Sequence, residues 1–532
     1  MKDRIYIKHW LELKPQNYSS NTDSYYLKIA NKIYSSFNSE SKLVLLNFMD
    51  KEEIYSFCCF LTCYFEDIIS DTNLWQSFKK EYTSNHNKTL PFFNLDSNYI
   101  DEEINVEDLA ILIWYFINTI QEDKFANPYN EFIWLLANQA MLVLDEEYEF
   151  APENKVLQKF YQLHPEIGDF YDIRHVIHNI FFQSYLFYPD IKQKLNSDIS
   201  QILEDKKDED PGLLMEYIKE ITEDYTFNRS SSLLSLNGKD WVKSVLGKSH
   251  NKHESISSIS NKIKGLFIYK KQDEYSVFLE HIASSMLFEL TKKSFDHYND
   301  LKEDDIIYIG LVNFNNEWWF SGSFHEIDFD ADLMLDQKNS AKDRAAVNFL
   351  MDSNEIKDIL KKQEDAFLGF NANSLIAFMK SEDLNSFLDD YTLFFNNSLQ
   401  LSEQQNKEAH ERTRTDGYFG NDSDYNISDD EIIVFFNPKC GIEIFQNISN
   451  AFPDKRNPFF TEESHEDVQH ILMSEECSTE FAHYLIENYK DKLSYFKKEP
   501  YKSYLNDLDF LLKFWKKENY NTKNSLVLIG KK

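Results

Sequence analysis

Asp172, His175 and His178 stand at positions i, i+3 and i+6 of one stretch with helical periodicity. Carboxylate and imidazole side chains spaced like this on a helix can share zinc or manganese, a neighbouring helix supplying the fourth ligand. Set against that chemistry is a plainer one, polar side chains hydrogen-bonded across packed helices. Asp328, Asp330 and Asp332 alternate like the first three ligands of a calcium loop. That match then fails: the sixth position is Leu333 where the loop needs glycine, and the twelfth is Asn339 where it needs a bidentate glutamate. A solvated acidic strand end or turn fits the three aspartates as well. In HEDVQH, His465 and His470 are one residue too far apart for the zinc-protease spacing and would stand about 140° apart around a helix. Pro189-Asp190 with Glu204-Asp205-Lys206 mimics the nuclease pattern PD and ExK, but on helical rather than strand periodicity. Phosphate-cradling glycine loops, the GxSxG elbow and CxxC pairs do not occur in the sequence, so no catalytic residue can be named and no cofactor is expected.

The elements that would position these residues follow from periodicity. With 44 Phe and 31 Tyr but only 12 Gly and 11 Pro, the chain has ample aromatic area to bury and few turn residues, so helix should dominate. At 532 residues it exceeds one ordinary core and should divide. Helical spacing recurs over 50–65, 71–82, 106–120, 129–144, 171–187, 191–203 and 213–225, predicting an all-helical domain over residues 1–227. A Ser- and Lys-rich linker is expected over 228–262. An α+β domain follows over 263–532, making the fold class mainly α with a smaller α+β part built of antiparallel hairpins and helices. Its expected hairpins are 265–269 with 275–279, and 306–314 with 317–324, the second turning at Asn315-Asn316. Adjacent Trp318 and Trp319 on that hairpin should face opposite sides of the sheet. Helices are expected over 340–368 and 374–395, then a mobile polar loop at about 404–430. A strand over 431–436 should break at Asn437-Pro438 and lead through Gly441 into a short helix. Helices over 466–473, 479–489 and 504–517 and a closing strand, 525–529, complete the reading.

The net charge of −34, from 56 basic and 90 acidic residues, argues against a general affinity for nucleic acid or anionic membrane. One stretch runs the other way: residues 228–271 carry nine basic against two acidic residues. Lys239, Lys243, Lys248 and Lys252 are the partner-binding candidates there, and nucleic-acid contact through 229–271 is one use of them. Internal pairing with the acidic segments on either side is the other, favoured use. The longest apolar runs, 109–117 and 133–144, are short of the roughly 20 residues a membrane helix needs. Charged and polar residues follow Met1 directly, and the five cysteines are too unevenly placed for a disulfide frame, so a cytoplasmic location is expected.

Six segments, IYIKHWLELKP, DSYYLKIANKIY, YEFAPENKVLQKFY, NNEWWFSG, FFNPKCGIEIF and FWKKENYNTKNSLVLIG, together resemble an uncharacterised family that occurs in Bacteroidetes and is catalogued as a domain of unknown function. The resemblance spans nearly the whole chain. It implies a bacterial protein whose two halves form one unit, and it brings no activity, cofactor or catalytic residue. The expectation is therefore a non-enzymatic cytoplasmic interaction or regulatory protein with a protein partner. The alternatives are a metal-dependent hydrolase or nuclease with a non-motif site, and nucleic-acid contact through the basic segment.

Overall fold

The computed structural model describes residues 4–121, 125–162, 168–350, 353–399, 401–408, 431–461, 464–521 and 524. Contacts divide the chain into two units, Met1–Lys262 with Leu311–Ser323, and Ile263–Gly310 with Phe324–Lys532.

The helices of eight or more residues in the first unit are α1 (Asp23–Ser36), α2 (Lys51–Ser70), α3 (Leu74–His86), α4 (Val106–Ile120), α5 (Glu131–Glu147), α6 (Phe170–Phe181), α7 (Gln193–Asp205), α8 (Pro211–Asn228) and α9 (Gly238–Leu246). Two of them form the centre. Every residue of α2 from Ile54 to Asp67, and of α4 from Asp108 to Ile117, is buried, as expected of helices apolar around most of their circumference. A reciprocal cap starts α2: Asp50 Oδ1 accepts from the Glu53 amide at 2.8 Å while Glu53 Oε2 accepts from the Asp50 amide at 2.6 Å. The stretch read as one helix over 171–187 ends at Phe181, and a short 3-10 turn, Tyr185–Phe187, follows. A π-turn over Tyr188–Lys192 comes next, and Asp190 within it, buried, accepts from the Ser232 amide.

Within the basic stretch, α9 and a shorter helix, His253–Ser257, form, and Trp241, Val242 and Ile256 are buried. Leu311–Ser323 packs with this unit, Trp319 lying buried 5.6 Å from Phe170 between ring centroids. Gly322 is required where it stands. Its φ is +100°, and a Cβ there would lie 2.5 Å from both Glu220 Oε2 and Lys262 Nζ, two residues that pair through Glu220 Oε1 at 2.7 Å.

Five strands close a barrel in the order β1–β2–β3–β5–β4: β1 (Ile263–Gln272), β2 (Ser276–His281), β3 (Leu287–Thr291), β4 (Ile306–Phe314) and β5 (Glu317–Ile327). The Asn315-Asn316 turn is present with φ of 50° and 65°, the left-handed pair a two-residue hairpin loop demands. β3 was not foreseen. After α10 (Ala331–Asn339) and α11 (Ser353–Phe370), the rest of the second unit is a three-stranded sheet, β6 (Ile376–Lys380), β7 (Glu431–Asn437) and β8 (Gly441–Gln446), between two helical layers. β7 lies in the middle and is buried on both faces. Ile432, Val434 and Phe436 pack with α11 and with α12 (Leu384–Ser398). Ile433 and Phe435 pack against α13 (His465–Met473), α14 (Thr479–Tyr489) and α15 (Leu508–Trp515).

Two expectations are corrected. Residues 374–395 are not one helix: Ile376–Lys380 pair antiparallel with β7, and the helix begins only at Leu384. A short apolar run satisfies either period, and the IIVFF strand beside it decides the matter. Gly441 opens a strand rather than a helix, its φ of +94° closing a tight turn in which the Asn437 side chain accepts from the Lys439 amide at 2.8 Å. Of the polar loop expected over 404–430, residues through 408 are helical and 409–430 lie outside the described residues, as does the closing strand 525–529.

The doubly buried strand gives a direct expectation. Phe435→Ala should cost about 3–5 kcal/mol, whereas Lys380→Ala on the exposed edge should change stability by less than about 0.5 kcal/mol, both read by urea unfolding.

Candidate functional site

A single helix carries the sequence's strongest candidates, and its phase separates them. α6 starts at Asp169, whose Oδ1 accepts from the Asp172 amide at 2.9 Å. Ile173, Ile177, Ile180 and Phe181 enter the core. Asp172, His175, Val176 and Asn179, spaced i, i+3, i+4 and i+7, share the face that lines an open cleft of about 530 Å³. His178 lies off that face. Its Nε2 is 2.9 Å from Thr226 Oγ1 of α8, and burial, reinforced by Arg174 and His175, lowers its pKa to about 3. The triad is therefore split, and among the described residues no three His, Cys, Asp or Glu side chains are grouped to hold a metal ion.

The opposite wall of the cleft is the short helix Lys155–Phe160, which contributes Lys155, Val156, Lys159 and Phe160. Lys155 and Lys159 are one turn apart and exposed. Val176 and Asn179 are buried at its base, with Asn179 Nδ2 3.4 Å from His175 Nε2. Lys155, Lys159, His175 and the amides of Gln162 and Asn179 thus line one concavity together with Asp172, and Lys155 also pairs with Glu153 at 4.0 Å. Such a set of donors receives a carboxylate or similar anion. The wall itself is fixed from below. Asn154 Oδ1 accepts from the Leu157 amide at 3.1 Å and starts the short helix, while Asn154 Nδ2 donates to Glu66 Oε1 at 2.7 Å. Glu66 is paired with Lys14, both wholly shielded from water. Burial works against the charge on each, but Cys63 and Glu66 around Lys14 more than offset it, and the ammonium pKa stands above its ordinary value. Sequence reading missed Lys155 and Lys159. Their i, i+4 spacing in KVLQK was the available signal.

Several of the other candidates are engaged in building the fold. Asp330 Oδ1 caps α10, accepting from the Asp332 and Leu333 amides at 2.9 and 3.2 Å; Asp328 precedes that cap at the end of β5. Lys239 donates to the Ile259 carbonyl, Lys243 pairs with Asp240 at 2.9 Å, and Lys252 lies beside Gly168, where a Cβ would meet its Nζ at 2.8 Å. Lys248 is exposed. His465 bonds Ser494 Oγ at 3.0 Å while His470 lies 3.8 Å from Glu476. In the second unit, the Cys440 thiol donates to Glu443 Oε1 at 3.4 Å, and burial, strengthened by that carboxylate, pushes its pKa far up, so it is held as the thiol. Lys516 is buried, donates to the Cys477 carbonyl at 2.7 Å, and burial lowers its pKa to about 8.

A family model described as a protein of unknown function, DUF3843, matches residues 4–303. No curated protein and no solved structure matches the chain.

His178 gives a pH signature. Its folded pKa of about 3 is below the ordinary 6.5, so the unfolded chain binds the extra proton between these values, and stability present above pH 6.5 is lost as pH falls toward 3. The urea midpoint of wild type should fall more steeply over this window than that of His178→Gln. Parallel curves would remove His178 as the cause.

Proposed function

We propose that this chain, which belongs to the DUF3843 family of proteins of unknown function, works by binding rather than by catalysis. It is a bacterial cytoplasmic protein that holds an acidic group of a partner protein in the cleft beside α6. The observation that carries the reading is the convergence of Lys155, Lys159 and His175 on one concavity, with the Asn179 amide at its base, in a chain whose net charge is −34. A local cationic concavity on so acidic a protein selects against most surfaces and for one group of matching shape and charge. The fate of the reactive side chains supports the same reading. Cys440 is held as the thiol, His178 is neutral and half-buried against Thr226, and Lys14 and Glu66 neutralise each other. Five free thiols suit a reducing compartment.

A second reading draws on Asp172 and His175 standing together on the cleft rim, two ligands of the kind a metal-dependent hydrolase uses. Two experiments separate the readings. Tagged full-length chain is used to recover a partner from the native host, and that partner is then titrated directly against wild type and the Lys155→Glu, Lys159→Glu double variant. Binding should weaken with added salt and be lost in the double variant; retention by the variant contradicts the cleft as the site. Stoichiometric zinc or manganese in the purified protein, lost in His175→Ala, would replace the binding reading with the hydrolase.

A further inference from the structure

The second unit carries a separate feature that does not rest on the cleft. β6 is an edge strand, paired with β7 alone. The Phe436 amide donates to the Leu375 carbonyl at 2.8 Å, which fixes the alternation of bonded and non-bonded pairs along the ladder. Leu375, Ala377 and Met379 therefore turn their amides and carbonyls toward β7, and Ile376, Phe378 and Lys380 turn theirs away. At one end the outward groups are closed off. Ser374 Oγ accepts from the Ile376 amide at 3.1 Å and donates to its carbonyl at 2.8 Å, and Asn371 Nδ2 donates to that carbonyl at 2.9 Å. At Phe378 nothing closes them: among the described residues its amide and carbonyl make no hydrogen bond.

This unsatisfied step of the edge lies in a cavity of about 350 Å³. Asp383 and Phe387, at the start of α12, line it together with Arg456 from the loop after β8. Arg456 is anchored: Nε donates to Asp454 Oδ1 at 2.9 Å and Nη2 to Oδ2, and Asp454 also accepts from Tyr489. A guanidinium has five N–H donors, so this anchoring leaves some for a ligand.

We propose that this groove receives an extended peptide segment of a partner protein, which adds to β6 as a fourth strand and offers a carboxylate to Arg456. The occupant follows from the chemistry on display. An outward amide and carbonyl on one edge residue are met together by a chain in the extended conformation, whose own groups alternate at the same spacing. Apolar surface at Phe378 and Phe387 takes a side chain of that segment, and the anchored guanidinium selects an acidic side chain or a C-terminal carboxylate. The volume lies near the lower end of ordinary ligand pockets, roughly 300 Å³, which suits a few residues rather than a folded surface.

The test displays random segments of about seven residues, with free C-termini, against the immobilised full chain, followed by titration of the best synthetic peptide. Enrichment of extended apolar segments bearing a carboxylate is expected, as is slowed hydrogen exchange at the Phe378 amide in the complex. Phe378→Pro removes an N–H that faces away from β7 and leaves the sheet's own ladder intact, and it should weaken the peptide by roughly tenfold or more. Phe378→Ala, which keeps the N–H, should weaken it less, and Arg456→Gln should abolish the preference for a carboxylate. No enrichment, unchanged Phe378 exchange in wild type with bound peptide, or equal binding by wild type and Phe378→Pro overturns the proposal. So does a concentration-dependent dimer that Phe378→Pro abolishes, since a second copy would then hold the edge.

Discussion

Lys14 and Glu66 meet inside the helical unit with neither side chain reaching water, and the candidate cleft hangs from that meeting. Removing a charged group from water costs several kcal/mol even after the surroundings relax, so such a pair persists only when its remaining hydrogen-bonding capacity is met. Here Asn154 and the Trp10 ring serve the two charges. Glu66 accepts from Asn154 as well as from Lys14, and the Lys14 ammonium lies 3.9 Å over the Trp10 ring. Trp10 Nε1 and Tyr18 OH both donate to Asp23, at 2.9 and 3.0 Å. Asn154 is the link from this network to the surface, because the carbonyl of the same amide caps the helix that bears Lys155 and Lys159. A buried charge thus sets the position of exposed ones. Breaking such a pair typically costs about 3–5 kcal/mol, far more than any single contact at the rim contributes.

The second unit solves the same problem with a sheet. β7 is saturated on both faces and along both edges, so rigidity is concentrated in one strand, and the sheet's unpaired hydrogen-bonding capacity lies at its two rims. In each unit the groups that would meet a ligand stand at the margin of a buried, hydrogen-bonded element. That arrangement gives recognition a fixed geometry at little ordering cost.

The sequence made the helices legible because their apolar period is long and unambiguous, as in α2 and α4. Asn315-Asn316 announced its hairpin for a similar reason: left-handed geometry is demanded there and asparagine tolerates it. β6 was not legible, since IAFMK fits either period and its strand character comes from Phe435 and its neighbours, more than fifty residues away. The site was legible only in part. Asp172 and His175 do share a face, but the i+6 step carries His178 off it, and helix phase alone could not say that Thr226 waits there. Lys14 and Glu66 are 52 residues apart and Glu66 and Asn154 are 88 apart, so no local pattern joins them. Segment charge was visible throughout, yet Lys239 and Lys243 are engaged within the fold, so the basic stretch is less available to partners than its composition suggests.

Amide hydrogen exchange of the Glu66→Gln variant tests most directly whether the cleft depends on the buried pair. The substitution keeps the size and hydrogen-bonding reach of the side chain and leaves Lys14 without its countercharge. Exchange over Lys155–Phe160, above all at the Leu157 amide that Asn154 caps, should accelerate while α4 keeps its protection. Unchanged exchange over Lys155–Phe160 would show that the wall stands without the pair, and would contradict the link drawn here from a buried charge to the binding surface.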